Sequence, residues 1–169
     1  MVNPLFQWFT ATTPRGIIRS TRRQHVVKIL FCLTAIWAVS GCALIDKDAH
    51  LAAFSTTMTG INEVPLVATN GTGRVDAVLD TNTRLFRWKV SYQGLTGVAT
   101  AGHFHGPAAV GVNAGVALAW RNPMTSPMEG SATLTAAQAA DLLAGKWYAN
   151  IHTTVHPTGE IRGQMILRR

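Results

Sequence analysis

From residue 72 onward, apolar and polar positions alternate in short runs broken by turn residues. Thr72–Asp80 places Val75, Ala77 and Leu79 on one face, and Asp80-Thr-Asn-Thr83 carries turn chemistry. Arg84–Tyr92 then sends Phe86, Trp88, Val90 and Tyr92 one way and Arg87, Lys89 and Ser91 the other. This period of two is the signature of half-buried antiparallel strands, and the two runs read as a hairpin. His50–Met58, Thr100–His105, Val116–Arg121, Gly130–Leu134, Trp147–Thr153 and Glu160–Leu167 are further strand candidates, most of them separated by Gly- or Pro-containing turns. One helix interrupts the series. Thr135-Ala-Ala-Gln138 matches a capping box, Leu142 and Leu143 supply apolar contact, and Gly145 is placed to end the helix in the left-handed region. The pattern predicts an all-β fold, a Greek-key β-sandwich of about eight antiparallel strands with one short helix. Trp88, Tyr92, Trp120 and Trp147 are core material first.

The N-terminal quarter follows a different pattern. A basic stretch from Arg15 to Lys28 precedes the apolar run Ile29–Val39, and small residues Ser40 and Gly41 follow. Such a run suits a signal peptide, whereas a spanning helix needs about 20 apolar residues; extended through Ile45 the run reaches seventeen, which leaves an uncleaved anchor as the alternative. Val39-Ser40-Gly41-Cys42 resembles the bacterial lipobox, whose cysteine is acylated and becomes the new N-terminus. The expectation is a cleaved signal peptide at 1–41, a lipidated tether at 42–49 and a β-sandwich domain at 50–169. The protein is then exported and held to a membrane by the lipid on Cys42. Ala43, standing where an aspartate would retain the protein at the inner membrane, points to the outer membrane, facing the periplasm or the cell surface. Thr21-Arg22-Arg23-Gln24-His25-Val26-Val27 looks a little like a twin-arginine signal, but His25 departs from it and an ordinary basic n-region fits better.

Charge changes the picture only through the leader. The chain carries a formal charge of +7, but residues from Cys42 onward hold ten basic and eight acidic groups, a net of +2. With neither a basic helix nor zinc-finger spacing, the high pI is no evidence for a nucleic-acid partner. Cys32 falls in the leader and Cys42 at the lipid site, so the mature domain has no thiol for a disulfide. It must hold together by its core.

Histidines carry the candidate chemistry. His103 and His105 flank Phe104, and residues two apart on a strand share a face with Cα atoms about 6.5–7 Å apart. Two imidazoles there can converge on one ion while Phe104 anchors the strand on the other side. His152 and His156 would lie about 13 Å apart on a straight strand, but Pro157 and Gly159 imply a turn that can fold His156 back. Three or four imidazoles suit copper or zinc. The competing reading is structural, with each ring hydrogen-bonded to a loop carbonyl. Arg162 is expected to form a structural ion pair with Glu63 or Glu160. Met124 and Met128 are placed in a loop rather than on a copper(I) ion. No phosphate loop, nucleophile elbow or paired carboxylates point to an enzyme.

Several motifs together resemble one family. Asn62-Glu-Val-Pro65, Gly102-His-Phe-His-Gly-Pro107, Leu134-Thr-Ala-Ala-Gln138, Leu143-Ala-Gly145 and the segment Asn150–Gln164 are similar to the motifs of the CHRD domain, named from chordin. The resemblance runs from about His50 to Leu167 and implies a domain of exported proteins without an established activity. The His-x-His strand with a late histidine also looks like copper/zinc superoxide dismutase. Carried over, His103 and His105 match the copper-ligand pair of that fold, and His152 or His156 its late ligand. The bridging histidine, the zinc-site residues and the disulfide of the dismutase have no match here, which argues against dismutase chemistry.

Overall fold

Alternation of large apolar and polar side chains sets the first hairpin. β2 (Thr72–Asp80) and β3 (Leu85–Gln93) pair antiparallel, with Val75 opposite Val90, Ala77 opposite Trp88 and Leu79 opposite Phe86, all buried. The computed structural model describes residues 48–121 and 124–168. The expected signal peptide, Cys42 and the first residues of the tether lie outside these. The described residues fall within a compact unit spanning Ala43–Arg169.

β1 (Leu51–Thr59) pairs with β2 along its whole length, then the chain makes a 3-10 turn at Gly60–Asn62. β4 (Ala99–His105), β5 (Val116–Ala119) and β6 (Met128–Thr133) follow, then α1 (Ala136–Leu143) and β7 (Tyr148–Thr153). β8 (Ile161–Gln164) and the two-residue β9 (Ile166–Leu167) end the series, separated by the fully buried Met165. The path runs β5-β4-β7-β8-β1-β2-β3-β6, all neighbours antiparallel, with β9 beside β1. The β class, the antiparallel β2–β3 hairpin and the one α-helix among the described residues are as the sequence predicts. Hydrogen bonding is continuous from β5 to β6, and the sheet curls so that its two ends face each other in a sandwich-like arrangement.

Aromatic rings fill the space between the ends. Phe86 and Trp88 of β3 meet Phe104 of β4 with centroids 5.3 and 5.4 Å apart, both edge to face. Trp120 and Trp147 add contacts to Phe104 at 5.2 and 6.0 Å. Fully burying a side chain of this size contributes about 3 kcal/mol, so Phe104 fixes β4 firmly against the core. Gly102 belongs to the same arrangement, because a Cβ there would collide with the Trp120 ring. The capping box forms as predicted: the Gln138 amide donates to Thr135 Oγ1 at 3.2 Å, and the Thr135 amide to Gln138 Oε1 at 2.9 Å. Gly145, at φ +68, follows the helix. Met128 is the first residue of β6, opposite Val90, rather than part of a loop, because the edge of β3 extends far enough to pair it.

Candidate metal centre

Alternation on β4 and β7 builds the site. Phe104 points into the core and sends His103 and His105 to the opposite face of β4. On β7, Ala149 and Ile151 are buried in the core, which leaves Tyr148, Asn150 and His152 on the other face. The register sets His103 opposite Asn150, His105 opposite Tyr148 and Ala101 opposite His152. Three imidazoles therefore meet. Ring centroids lie 5.4 Å apart for His103 and His105, 4.9 Å for His103 and His152, and 6.1 Å for His105 and His152. One ring nitrogen from each falls within 4.8 Å of the other two.

Backbone carbonyls fix two of the rings. His105 Nδ1 lies 3.0 Å from the Ala114 carbonyl, and His152 Nδ1 lies 3.0 Å from the Pro157 carbonyl. A carbonyl only accepts, so in both rings Nδ1 carries the hydrogen and Nε2 keeps its lone pair. His152 Nε2 takes a hydrogen bond from His103 Nδ1 at 3.1 Å. Among the described residues His105 Nε2 has no hydrogen-bond partner, although His105 is only 9 % exposed. Burial also holds His103 and His105 below the ordinary imidazole pKa; for His103 the neighbouring histidines add to the effect, and for His105 the bond to Ala114 opposes it. The neutral rings that a metal requires are thus the favoured ones.

A stack of flat groups supports His105. Its ring lies on Tyr148, 4.8 Å between centroids and 6° from parallel, and the Arg162 guanidinium lies 3.5 Å from the Tyr148 centroid. Tyr148 Oη accepts from the Ala114 amide at 3.1 Å, which holds in place the carbonyl that His105 uses.

The two histidine pairs divide unequally. His103, His105 and His152 come together; the ring of His156 is not part of the cluster. His156 acts through its backbone: its carbonyl accepts from the Thr153 and Gly159 amides at 3.1 Å each, and its amide donates to Thr153 Oγ1. That turn carries Pro157 back to His152, so the second half of the motif positions the His152 ring instead of adding a fourth ring to the cluster.

The expected ion pair needs correction. Among the described residues, Arg162 makes no contact ion pair with Glu63 or Glu160. Its guanidinium donates to Asn113 Oδ1 at 2.8 Å and the Val112 carbonyl at 2.7 Å, because the 106–115 loop reaches it first. Glu63 accepts instead from Asn150 Nδ2 at 2.6 Å. Burial pushes its carboxyl up to about 7, against the lowering field of Arg162. Glu160 is fully buried, and its environment contains hydroxyls where a cation was anticipated. Oε1 accepts from Thr69 Oγ1 and the Thr96 amide at 2.7 Å each; Oε2 accepts from Thr96 Oγ1 at 3.0 Å and Thr153 Oγ1 at 2.7 Å. Burial works to raise this carboxyl, but those bonds outweigh it and hold it below the usual range. Tyr148, Ala114 and the threonine cage carry no signal in the sequence, because they are adjacent only in space.

Chemically, the cluster can hold a metal ion. Tetrahedral coordination at 2.0–2.1 Å puts ligand nitrogens about 3.4 Å apart, so the three, at most 4.8 Å apart here, would need only small ring movements to meet one ion. His103 would move its hydrogen from Nδ1 to Nε2, freeing a third lone pair. No curated protein and no solved structure matches the chain. The family model described as CHRD domain matches residues 54–165, from the middle of β1 to Met165, and takes in all three histidines. On that match, covering well over half of its length, the chain belongs to the CHRD domain family.

Proposed function

We propose that this CHRD domain is exported, tethered to a membrane through lipid on Cys42, and binds one copper or zinc ion through His103, His105 and His152. The carrying observation is His105 Nε2, a buried ring nitrogen with no hydrogen-bond partner among the described residues, beside two other imidazoles. A buried acceptor left unpaired costs roughly 1–3 kcal/mol, and a bound cation would remove that cost. All-nitrogen ligation favours copper(II) by affinity and zinc by availability. The role is binding rather than catalysis: among the described residues, no further His or carboxylate joins the three rings as a dismutase site would need.

The second reading is a non-catalytic interaction module with structural histidines. The His103–His152 hydrogen bond and the two carbonyl contacts favour it, since they satisfy most of the cluster without an ion. Elemental analysis of protein purified without a histidine tag separates the two. One equivalent of copper or zinc supports the metal site, and its absence even after incubation with both ions supports the module. Palmitate labelling tests the anchor: Cys42→Ser should abolish incorporation, and equal labelling of both proteins would refute it.

A further inference from the structure

The charges on the surface are distributed unevenly. Arg74 and Asp76 lie on the outward face of β2, Arg87 and Lys89 on that of β3, and Glu129 on that of β6. The register lines these up in rows across the sheet: Val78, Arg87 and Ser131 in one, Asp76, Lys89 and Glu129 in the next. Arg168, bonded through its amide to the Ala53 carbonyl, and Arg121 join the same concave surface, which encloses about 680 Å³. Five of the eight described cations thus sit on this outward face with two carboxylates, a net of +3, and four of them, Arg87, Lys89, Arg121 and Arg168, line the groove. The other three cations, Arg84, Lys146 and Arg162, share the rest of the described residues with five carboxylates, a net of −2. The two carboxylates on the face are taken up by Arg74 and Arg168 on Asp76, and by Lys89 on Glu129. Arg87 and Arg121 are exposed, and no side-chain partner within the described residues holds either.

Two further placements give this face a direction. β1 begins at Leu51 and Ala53 lines the groove, so the N-terminal entry of the domain lies beside it. Residues 43–50 reach at most about 30 Å, which keeps the domain close to whatever holds Cys42. The histidine cluster lies on the outward face of β4 and β7, across the aromatic core from this groove.

We infer that the outward face of β1, β2, β3 and β6 is a docking surface for an anionic bilayer, through the phosphates of its headgroups. The tethered domain then rests with Arg87, Arg121 and Arg168 on the membrane and presents His103, His105 and His152 to the opposite side. Each cation near such a surface strengthens binding about fivefold, and the attraction decays within a Debye length. The orientation rests on the lipid anchor proposed above; the face itself is tested without the lipid.

The experiment uses residues 43–169, the compact unit that contains every described element. Co-sedimentation with vesicles of phosphatidylcholine containing phosphatidylglycerol is compared with phosphatidylcholine alone. Binding should require the anionic lipid and vanish at high salt. The Arg87→Gln/Arg121→Gln variant should bind roughly twenty-fold more weakly with an unchanged circular dichroism spectrum, because neither side chain makes a hydrogen bond or ion pair among the described residues. Lys146→Gln, which removes an exposed cation elsewhere, should bind as the wild type does. Equal binding to both vesicle types, equal losses in the Lys146 and double variants, or binding to dextran sulfate without binding to vesicles would overturn the proposal. Failure of palmitate labelling with vesicle binding intact would remove the anchor and leave the face.

Discussion

His103 Nδ1 and His152 Nε2 lie 3.1 Å apart across the β4–β7 pair, close enough that a hydrogen now occupies the space where both lone pairs would address an ion. Under the metal-binding function proposed above, the pair has two states, one closed by a proton and one closed by a metal. Which state holds is a matter of proton competition, because only neutral imidazole ligates.

Metal affinity should therefore fall as pH drops. Burial holds His103 and His105 neutral below the ordinary histidine pKa of 6.5, so the fall should be centred below that value. Isothermal titration with copper(II) and zinc(II) checks it. His105→Ala should weaken binding by more than roughly 100-fold, beyond the range of an outer-sphere change. His50→Ala, whose ring sits near Asp80 and outside the cluster, should leave affinity unchanged.

Glu63 makes stability depend on pH near neutrality. Its carboxyl titrates at about 7 in the native protein against an ordinary 4.5, so between these values the native state keeps a proton that the unfolded chain has lost. Stability should decline as pH rises through that window, by about 3 kcal/mol in total at roughly 1.4 kcal/mol per unit. Urea unfolding from pH 4.5 to 8 measures it, and Glu63→Gln should flatten the curve.

Glu160 acts in the opposite sense. Its carboxyl is held below the ordinary range, so its contribution is present above about 4.5 and is lost as pH falls through the depressed native value. Glu160→Gln replaces one acceptor oxygen with a donor facing Thr hydroxyls or the Thr96 amide, and should cost about 3 kcal/mol at pH 7. Guanidinium denaturation of the two proteins at pH 7 and pH 4 should show the difference shrinking in acid.

Gly102 has no room for a side chain beside Trp120. Gly102→Val should destabilise by about 2 kcal/mol through overpacking, read as a lower urea midpoint at unchanged slope. Because β4 also carries two of the three histidines, metal affinity should fall in the same variant.

Much of the architecture is legible in one dimension. Alternation gives the faces of β2 and β3, Thr135 and Gln138 give the helix start, and the His-x-His spacing gives two rings on one face, because these properties depend on residues a few positions apart. The edges of elements are less legible: the Glu160–Leu167 run breaks at Met165, whose amide bonds the Trp147 carbonyl and whose side chain turns into the core. Neither cause is local in sequence.

What the chain by itself determined is which residues can share a face and which can hold a metal. Only the tertiary structure decided the partners. Packing of Phe104 brought β4 against β7 and chose His152 over His156 as the third ring. The fold carried Asn113 to Arg162 and Asn150 to Glu63, and it enclosed Glu160 in hydroxyls where proximity of charge in the sequence suggested a cation. Alternation is written in neighbouring residues, whereas a contact between residues 49 or 87 positions apart depends on how the whole sheet curls.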